Sequence, residues 1–253
     1  MNILKLMISL FLFGLTSWVY AAPPNNFSQK NVSDRVNYTF VFLYKNQNQR
    51  TMQLQKVFNE SLSKLDNIRA INMNANESSA QPFIEKYKLE RAPMPFVIVI
   101  ASNGAVTGGF SSFTKQQLTG SIVSVGTANC LKALQTNKLV VLYLKNNKTA
   151  HNQDVSHTIN SFKTDPRFSK ATQVVVIDPS DNRELSFLNQ LRVNPNINEA
   201  TTLLIAPPAT VIGKFQGAIT KDQLVASIKK ATSGYCNGKC SSGHCNCHGG
   251  DLS

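Results

Sequence analysis

The sequence predicts an α/β protein built from two tandem copies of one unit, followed by a cysteine- and histidine-rich tail. Short apolar runs of strand length alternate with stretches of helical period, the pattern of a sheet packed with helices. The alternation also recurs about one hundred residues later with local identity, which marks an internal repeat.

In the first copy, Phe40-Val-Phe-Leu-Tyr-Lys-Asn46 is an apolar run closed by a polar loop, as a buried strand would be. Leu54, Val57, Phe58, Leu62 and Leu65 then keep a 3.6-residue period and predict a helix. A second strand is expected over Ile68 to Met73. Pro82 opens a second helix, because its missing N–H costs nothing in a first turn. The run Phe96 to Phe110 reads as strand, tight turn, strand. Thr114 with Gln117 forms a capping box at the start of the last helix, with Leu118 and Ile122 as its buried stripe.

The second copy repeats the order. Val140-Val-Leu-Tyr-Leu-Lys-Asn146 aligns with Phe40 to Asn46, and Val174 to Ile177 with the second strand. Leu185, Leu188 and Leu191 mark a helix, and Thr201 to Phe215 repeats the strand pair. Thr220 with Gln223 repeats the capping box, ahead of Leu224 and Ile228. Asp178, after a strand end, is expected to cap the next helix. Each copy therefore reads β-α-β-α-β-β-α.

The chain opens with the features of an export signal: Lys5, an apolar stretch from Ile8 to Leu15, then the small residues Val19 and Ala21 before a cut. The resulting organisation is a signal peptide over 1–21, a leader over 22–35, a first domain over 36–125, a join over 126–137, a second domain over 138–232, and a tail over 233–253. No later segment is long and apolar enough for a membrane span. The net charge of +12 favours anionic envelope surfaces. It does not point to nucleic acid, because the lysines are scattered and no aromatics interleave with a basic stripe. Six Asn-x-Ser/Thr triplets occur, but the chain is so rich in Asn that most arise by chance, and its Lys/Asn/Ile bias reads as bacterial.

The order of elements resembles the thioredoxin fold, in two tandem copies covering nearly the whole chain after the signal. Met94-Pro95, directly before the third strand, is similar to the cis-proline that thioredoxin-like proteins carry opposite their active-site loop. The second copy has Glu199-Ala200 at that place. The resemblance implies a groove beside Met94 and Pro95 that takes extended peptide. In the family a Cys-x-x-Cys pair starts the first helix, whose N-terminus activates the first thiol. The matching loops here read Lys45-Asn-Gln-Asn-Gln49 and Lys145-Asn-Asn-Lys-Thr149, without cysteine. The two domains are thus expected to be degenerate, with no dithiol exchange at those sites.

Four of the five cysteines lie in the tail: Cys236, Cys240, Cys245 and Cys247, interleaved with His244 and His248. Thiolates and imidazoles ligate soft and borderline ions, so these six residues are the candidate ligands for Cu(I) or Zn(II). Two disulfides, or redox-active thiols, remain open for the same four cysteines. The tail has almost no apolar residues and is expected to be largely unstructured. Cys130 is expected to be a buried small hydrophobe, with a lipid- or partner-linked thiol, or one paired with a tail cysteine, as alternatives. His151 and His157 are expected at the surface.

These readings converge on an exported protein, periplasmic or secreted, whose domains bind or assemble a protein partner in the cell envelope while the tail holds a transition metal. No catalytic residue is assigned. The alternatives are a thiol–disulfide oxidoreductase or isomerase using the tail cysteines, and a structural envelope subunit with a disulfide-stapled tail.

Overall fold

The structure, a computed structural model, describes residues 38–233. The expected signal, the leader and the tail residues expected to ligate a metal lie outside that range. The first copy forms β1 (Tyr38–Tyr44), α1 (Gln49–Leu62), β2 (Ile68–Asn74), α2 (Gln81–Tyr87), β3 (Phe96–Ala101), β4 (Val106–Phe110) and α3 (Lys115–Gly120). A helix α4 (Val125–Gln135) follows. The second copy is β5 (Leu139–Leu144), α5 (Asn152–Lys163), β6 (Thr172–Ile177), α6 (Leu185–Gln190), β7 (Thr201–Ala206), β8 (Thr210–Gln216) and α7 (Lys221–Ser233).

The four strands of each copy form one sheet, ordered β2-β1-β3-β4 and β6-β5-β7-β8. The first two strands are parallel and the remaining pairings antiparallel in both. This is the mixed sheet that the thioredoxin resemblance implies, twice over. β1 and β5 are interior strands with helices on both faces, and so they read as unbroken apolar runs. Phe40, Val41, Phe42 and Leu43 are fully buried, as are Val140, Val141, Leu142 and Leu144.

Side-chain alternation divides each core in two. Phe40, Phe42 and Phe58 pack with Val97, Val99 and Leu118 on the α1/α3 side, while Val41, Leu43 and Ile84 pack with Ile98 and Ile100 on the α2 side. The second copy places Val141, Tyr143, Ile159 and Leu204 on the α5/α7 side and Val140, Leu142, Leu188 and Leu203 on the other. The strand pairing corrects the sequence alignment by one residue. Phe42 stands opposite Val97 and Tyr143 opposite Thr202, so Phe42 corresponds to Tyr143 and not to Leu142. A one-residue slip exchanges the two faces of a strand. In two runs apolar at every position, the sequence offers nothing to detect it.

Finer features repeat as well. Both hairpins break register at the same point, between Val99 and Ile100 and between Leu204 and Ile205. A Cβ on Gly108 would come within 2.6 Å of the Ser121 hydroxyl and 2.7 Å of the Phe110 ring. On Gly213 it would meet Phe215 at 2.9 Å and Ser227 at 3.1 Å. Glycine at this point lets the last helix and the following aromatic close over the strand. Both capping boxes form, with the Gln117 and Gln223 amides accepting from the N–H of Thr114 and Thr220.

Two expectations are overturned locally. The last helix of the first copy stops at Gly120, and Ile122 is exposed rather than part of a buried stripe. There the chain turns away, held by the Tyr38 hydroxyl, which donates to the Val123 carbonyl at 2.6 Å and accepts from its N–H at 3.0 Å. Asp178 does not cap a helix. It accepts from the N–H and hydroxyl of Ser180, and Asp181 caps the short 3-10 turn Asn182–Glu184.

The stretch joining the copies is largely helical. Ser124 caps α4. Its residues Cys130, Ala133 and Leu134 belong to the core of the second copy, and Ala128 to that of the first. Gln135 bonds both backbone groups of Val106, at 2.9 and 2.7 Å, as a further strand would. At its other end, buried Glu184 of the second copy accepts from Ser124 at 2.6 Å and Thr127 at 3.1 Å. A Cβ on Gly126 would lie 2.6 Å from that carboxylate and 2.7 Å from Ile177, so glycine permits the contact. Glu184→Ala leaves these hydroxyls without their acceptor and should cost about 1–3 kcal/mol. Urea unfolding followed by Tyr fluorescence should become less cooperative as the copies uncouple.

A second polar cluster ties α5 to α7. Buried Asp165 accepts a two-pronged bond from the Arg167 guanidinium, at 3.0 and 2.8 Å, and pairs with Lys221 at 2.6 Å. Hydrogen bonds from Arg167 and then Lys221 hold this carboxyl well below the usual carboxylate range. With the folded value depressed, its stabilisation is complete above the ordinary value of about 3.9 and is lost as pH falls through the folded value. Asp165→Asn should lower the thermal midpoint at neutral pH and flatten the acid-side fall of stability. Thermal scans between neutral pH and strong acid check this.

Candidate functional site

In each copy the first loop and the segment entering the third strand converge at one end of the central strand. In the first copy the loop spans residues 45–48, between β1 and α1. Asn48 caps α1, its side chain accepting from the Thr51 N–H at 2.9 Å. Asn76 reaches across and donates to the Lys45 carbonyl at 2.9 Å. The loop side chains Lys45, Asn46, Gln47 and Asn48 are all exposed. The Met94–Pro95 bond is cis, with Pro95 buried and Met94 half-buried. Among the described residues, no backbone hydrogen bond is made by the Met94 N–H or carbonyl. The groups collected here are amides and one ammonium. They can hydrogen-bond a ligand but supply neither a nucleophile nor a proton relay.

The second copy fills the same place from within. Its loop runs from Lys145 to His151, and Ala150 forms a parallel bridge with Glu199. The Ala150 N–H donates to Asn198 at 2.9 Å, and the Ala200 N–H donates to Ala150 at 2.9 Å. Thr149 is buried, where it donates to Asn152 Oδ1 at 2.8 Å, and Asn152 donates to the Asn146 carbonyl at 2.8 Å. His151 adopts a left-handed conformation (φ 62°) to turn the loop into α5. These bonds flank Glu199, the counterpart of Met94, whose own N–H and carbonyl likewise make no backbone hydrogen bond among the described residues; what the second copy adds is a loop tied to the strand entry. Composition does not reveal this difference, which depends on where the two longer loop ends fold back.

Sequence reasoning also missed a polar cleft of about 390 Å³ along α5, lined by Lys145, Asn152, Gln153, Ser156, His157 and Asn160. Behind it, the Tyr143 hydroxyl donates to the Asn152 carbonyl at 2.8 Å, and burial pushes this phenol up. His151 and His157 are exposed, as expected, and His151 lies 3.6 Å from Asp154.

Among the described residues no group of three or more His, Cys, Asp or Glu side chains is placed to hold a metal. The candidate ligands Cys236, Cys240, His244, Cys245, Cys247 and His248 lie outside them. Cys130 is the cysteine within the described range. It is fully buried on α4, and burial, reinforced by the Glu184 charge, pushes its thiol up to about 12. It behaves as a small apolar side chain, since the reactive thiolate is absent at neutral pH. No helix among the described residues is long and apolar enough to cross a membrane. In the native protein, iodoacetamide should leave Cys130 unmodified, and labelling should appear only with unfolding. Peptide mass spectrometry across a urea series reads this.

No protein-family model matches the chain, and neither does any curated protein sequence. Solved structures are similar at low identity. The N-terminal N/C domain of the alkylhydroperoxide reductase AhpF from Enterococcus faecalis is 15% identical with a TM-score of 0.30, over 76% of this chain and 91% of that one. The first two thioredoxin domains of Saccharomyces cerevisiae Eps1p are 12% identical with a TM-score of 0.26, over 82% and 99%. The zinc-bound form of human ERp44 is 11% identical with a TM-score of 0.30, over 78% and 53%.

Proposed function

We propose that this chain is an exported, non-catalytic binding or assembly scaffold for a protein of the cell envelope, with a tail that takes up Cu(I) or Zn(II). The observation that carries the scaffold reading is the open main chain at Met94, beside a first loop without a thiol. An extended peptide pairs with such a backbone edge through its own N–H and carbonyl groups, and neighbouring side chains set its preference. The second copy, whose first loop is bonded to the residues on either side of Glu199, supports the first copy structurally in this reading. On this view both domains are degenerate thioredoxin-like units, and the envelope is a periplasmic or extracellular location.

The metal reading rests on donor chemistry. Four thiols and two imidazoles in the tail suit a soft or borderline ion, and the described domains offer no competing cluster. A bound ion would organise the tail without entering a reaction. The net charge of +12 would favour an anionic envelope surface nearby.

One measurement separates the readings: bound metal and free thiols determined together on protein isolated from its own compartment. The expected result is stoichiometric copper or zinc, lost in Cys245→Ser/Cys247→Ser. No metal and no free tail thiols would sink the metal reading and favour a disulfide-stapled structural subunit. Catalysed reduction or isomerisation of a test disulfide would favour an oxidoreductase that uses the tail cysteines.

A further inference from the structure

Each sheet has β2 or β6 at one edge, and no strand among the described residues pairs with its outer side. Edges of this kind recruit other strands unless something guards them. In β2 the exposed positions carry Arg69, Ala70 and Asn72, and Gln55 of α1 donates to the Asn72 side chain at 3.1 Å. In β6 the residue aligned with Asn72 is Val176, since Asn72 pairs with Phe42 and Val176 with Tyr143. Val176 is 52% exposed. The strand Thr172-Gln-Val-Val-Val-Ile177 carries no charge and is mostly β-branched, which favours strand pairing.

The ladder fixes which backbone groups of β6 face outward. The Leu139 N–H donates to the Ala171 carbonyl and the Lys145 N–H to that of Ile177. In a parallel pair alternate residues bond the neighbour. The odd positions from 171 to 177 therefore face β5, and the N–H and carbonyl groups of Val174 and Val176 point away from it. One side chain intervenes: Gln173 donates to its neighbour's carbonyl, that of Val174, at 3.2 Å.

We infer that β6 is a homodimer interface, pairing antiparallel with β6 of a second copy about a two-fold axis at Val174. Two residues with outward backbone groups then face each other and exchange both bonds, as an antiparallel pair requires. In this register Val176 stands against Thr172 of the second copy. The same register sets Lys170 of each copy opposite Asp178 of the other. Both residues are exposed, and Lys170 has no ion-pair partner of its own among the described residues. Partial burial pushes the Asp178 carboxyl up, but hydrogen bonds from Ser180 and Asn146 outweigh it and hold the group below the usual carboxylate value, so it is charged at neutral pH. On a chain with a net charge of +12, an uncharged strand flanked by a self-complementary Lys and Asp is a surface where two copies meet without repulsion. The two four-stranded sheets would become one of eight, and each particle would carry two peptide grooves and two tails. The inference does not depend on what the groove or the tail binds.

Sedimentation equilibrium of the purified protein, kept reduced so that tail thiols do not cross-link, tests it. The expected result is a monomer–dimer equilibrium. Val176→Lys places like charges at the interface twice per dimer and should weaken it at least about tenfold. Lys170→Glu should weaken it through carboxylate repulsion, and Lys170→Glu/Asp178→Lys should restore it. Circular dichroism confirms that the exposed substitutions leave the fold intact. The inference is overturned by a monomer at every concentration. It is equally overturned by a dimer that Val176→Lys and Lys170→Glu leave unchanged, or by one that the charge exchange does not restore.

Discussion

Burial of one strand on both faces is the constraint from which each half of this molecule is built. β1 and β5 sit between a parallel and an antiparallel neighbour, with helices above and below. Every side chain from Phe40 to Leu43 and from Val140 to Leu144 is withdrawn from water. Full burial of side chains of this size stabilises by roughly 1.5–3 kcal/mol each. A strand so placed admits a buried polar group where that group finds a hydrogen bond, as the Tyr143 hydroxyl does at the Asn152 carbonyl. It also fixes the register of its neighbours, since sliding either one would set a helix-facing side chain against the wrong core.

The same constraint explains how the two copies become one unit. A sheet covered on one face only would leave Val140, Leu142 and Leu203 in water. α4 covers that face of the second copy with Cys130, Ala133 and Leu134. It also reaches back to the first copy through Gln135 and Ala128. Its N-terminus carries unbonded N–H groups close to a buried carboxylate, and Ser124, Thr127 and Glu184 satisfy one another there. A buried charge of this kind needs its hydrogen bonds, because an unmet one costs more than a made one gains. The helix is therefore both a layer of the second core and the join between the copies.

The two halves share a topology and differ in what they leave open. At the loop end, the second copy ties its first loop to the strand entry through Ala150, bonded to Asn198 and Ala200, while the first copy makes no such bonds among the described residues. At the sheet edge the contrast reverses: the first copy guards β2 with Arg69 and with Asn72 bonded to Gln55, while the second exposes Val176. The two copies share one architecture. Their exposed positions differ, because the core does not constrain them.

The sequence by itself determined the element order within each copy, the repeat, and the capping boxes at Thr114 and Thr220. Each of these is written in local periodicity or local chemistry. Tertiary structure alone decided the face each residue of β1 and β5 presents, because a run apolar at every position has no internal register. It alone decided that Ile122 is exposed and that Asp181, not Asp178, is the cap, because each outcome depends on where the chain turns next. It also decided which first loop is bonded back to its own strand entry and which strand edge carries Val176. Those are contacts between residues distant in the chain, and no local pattern of amino acids encodes them.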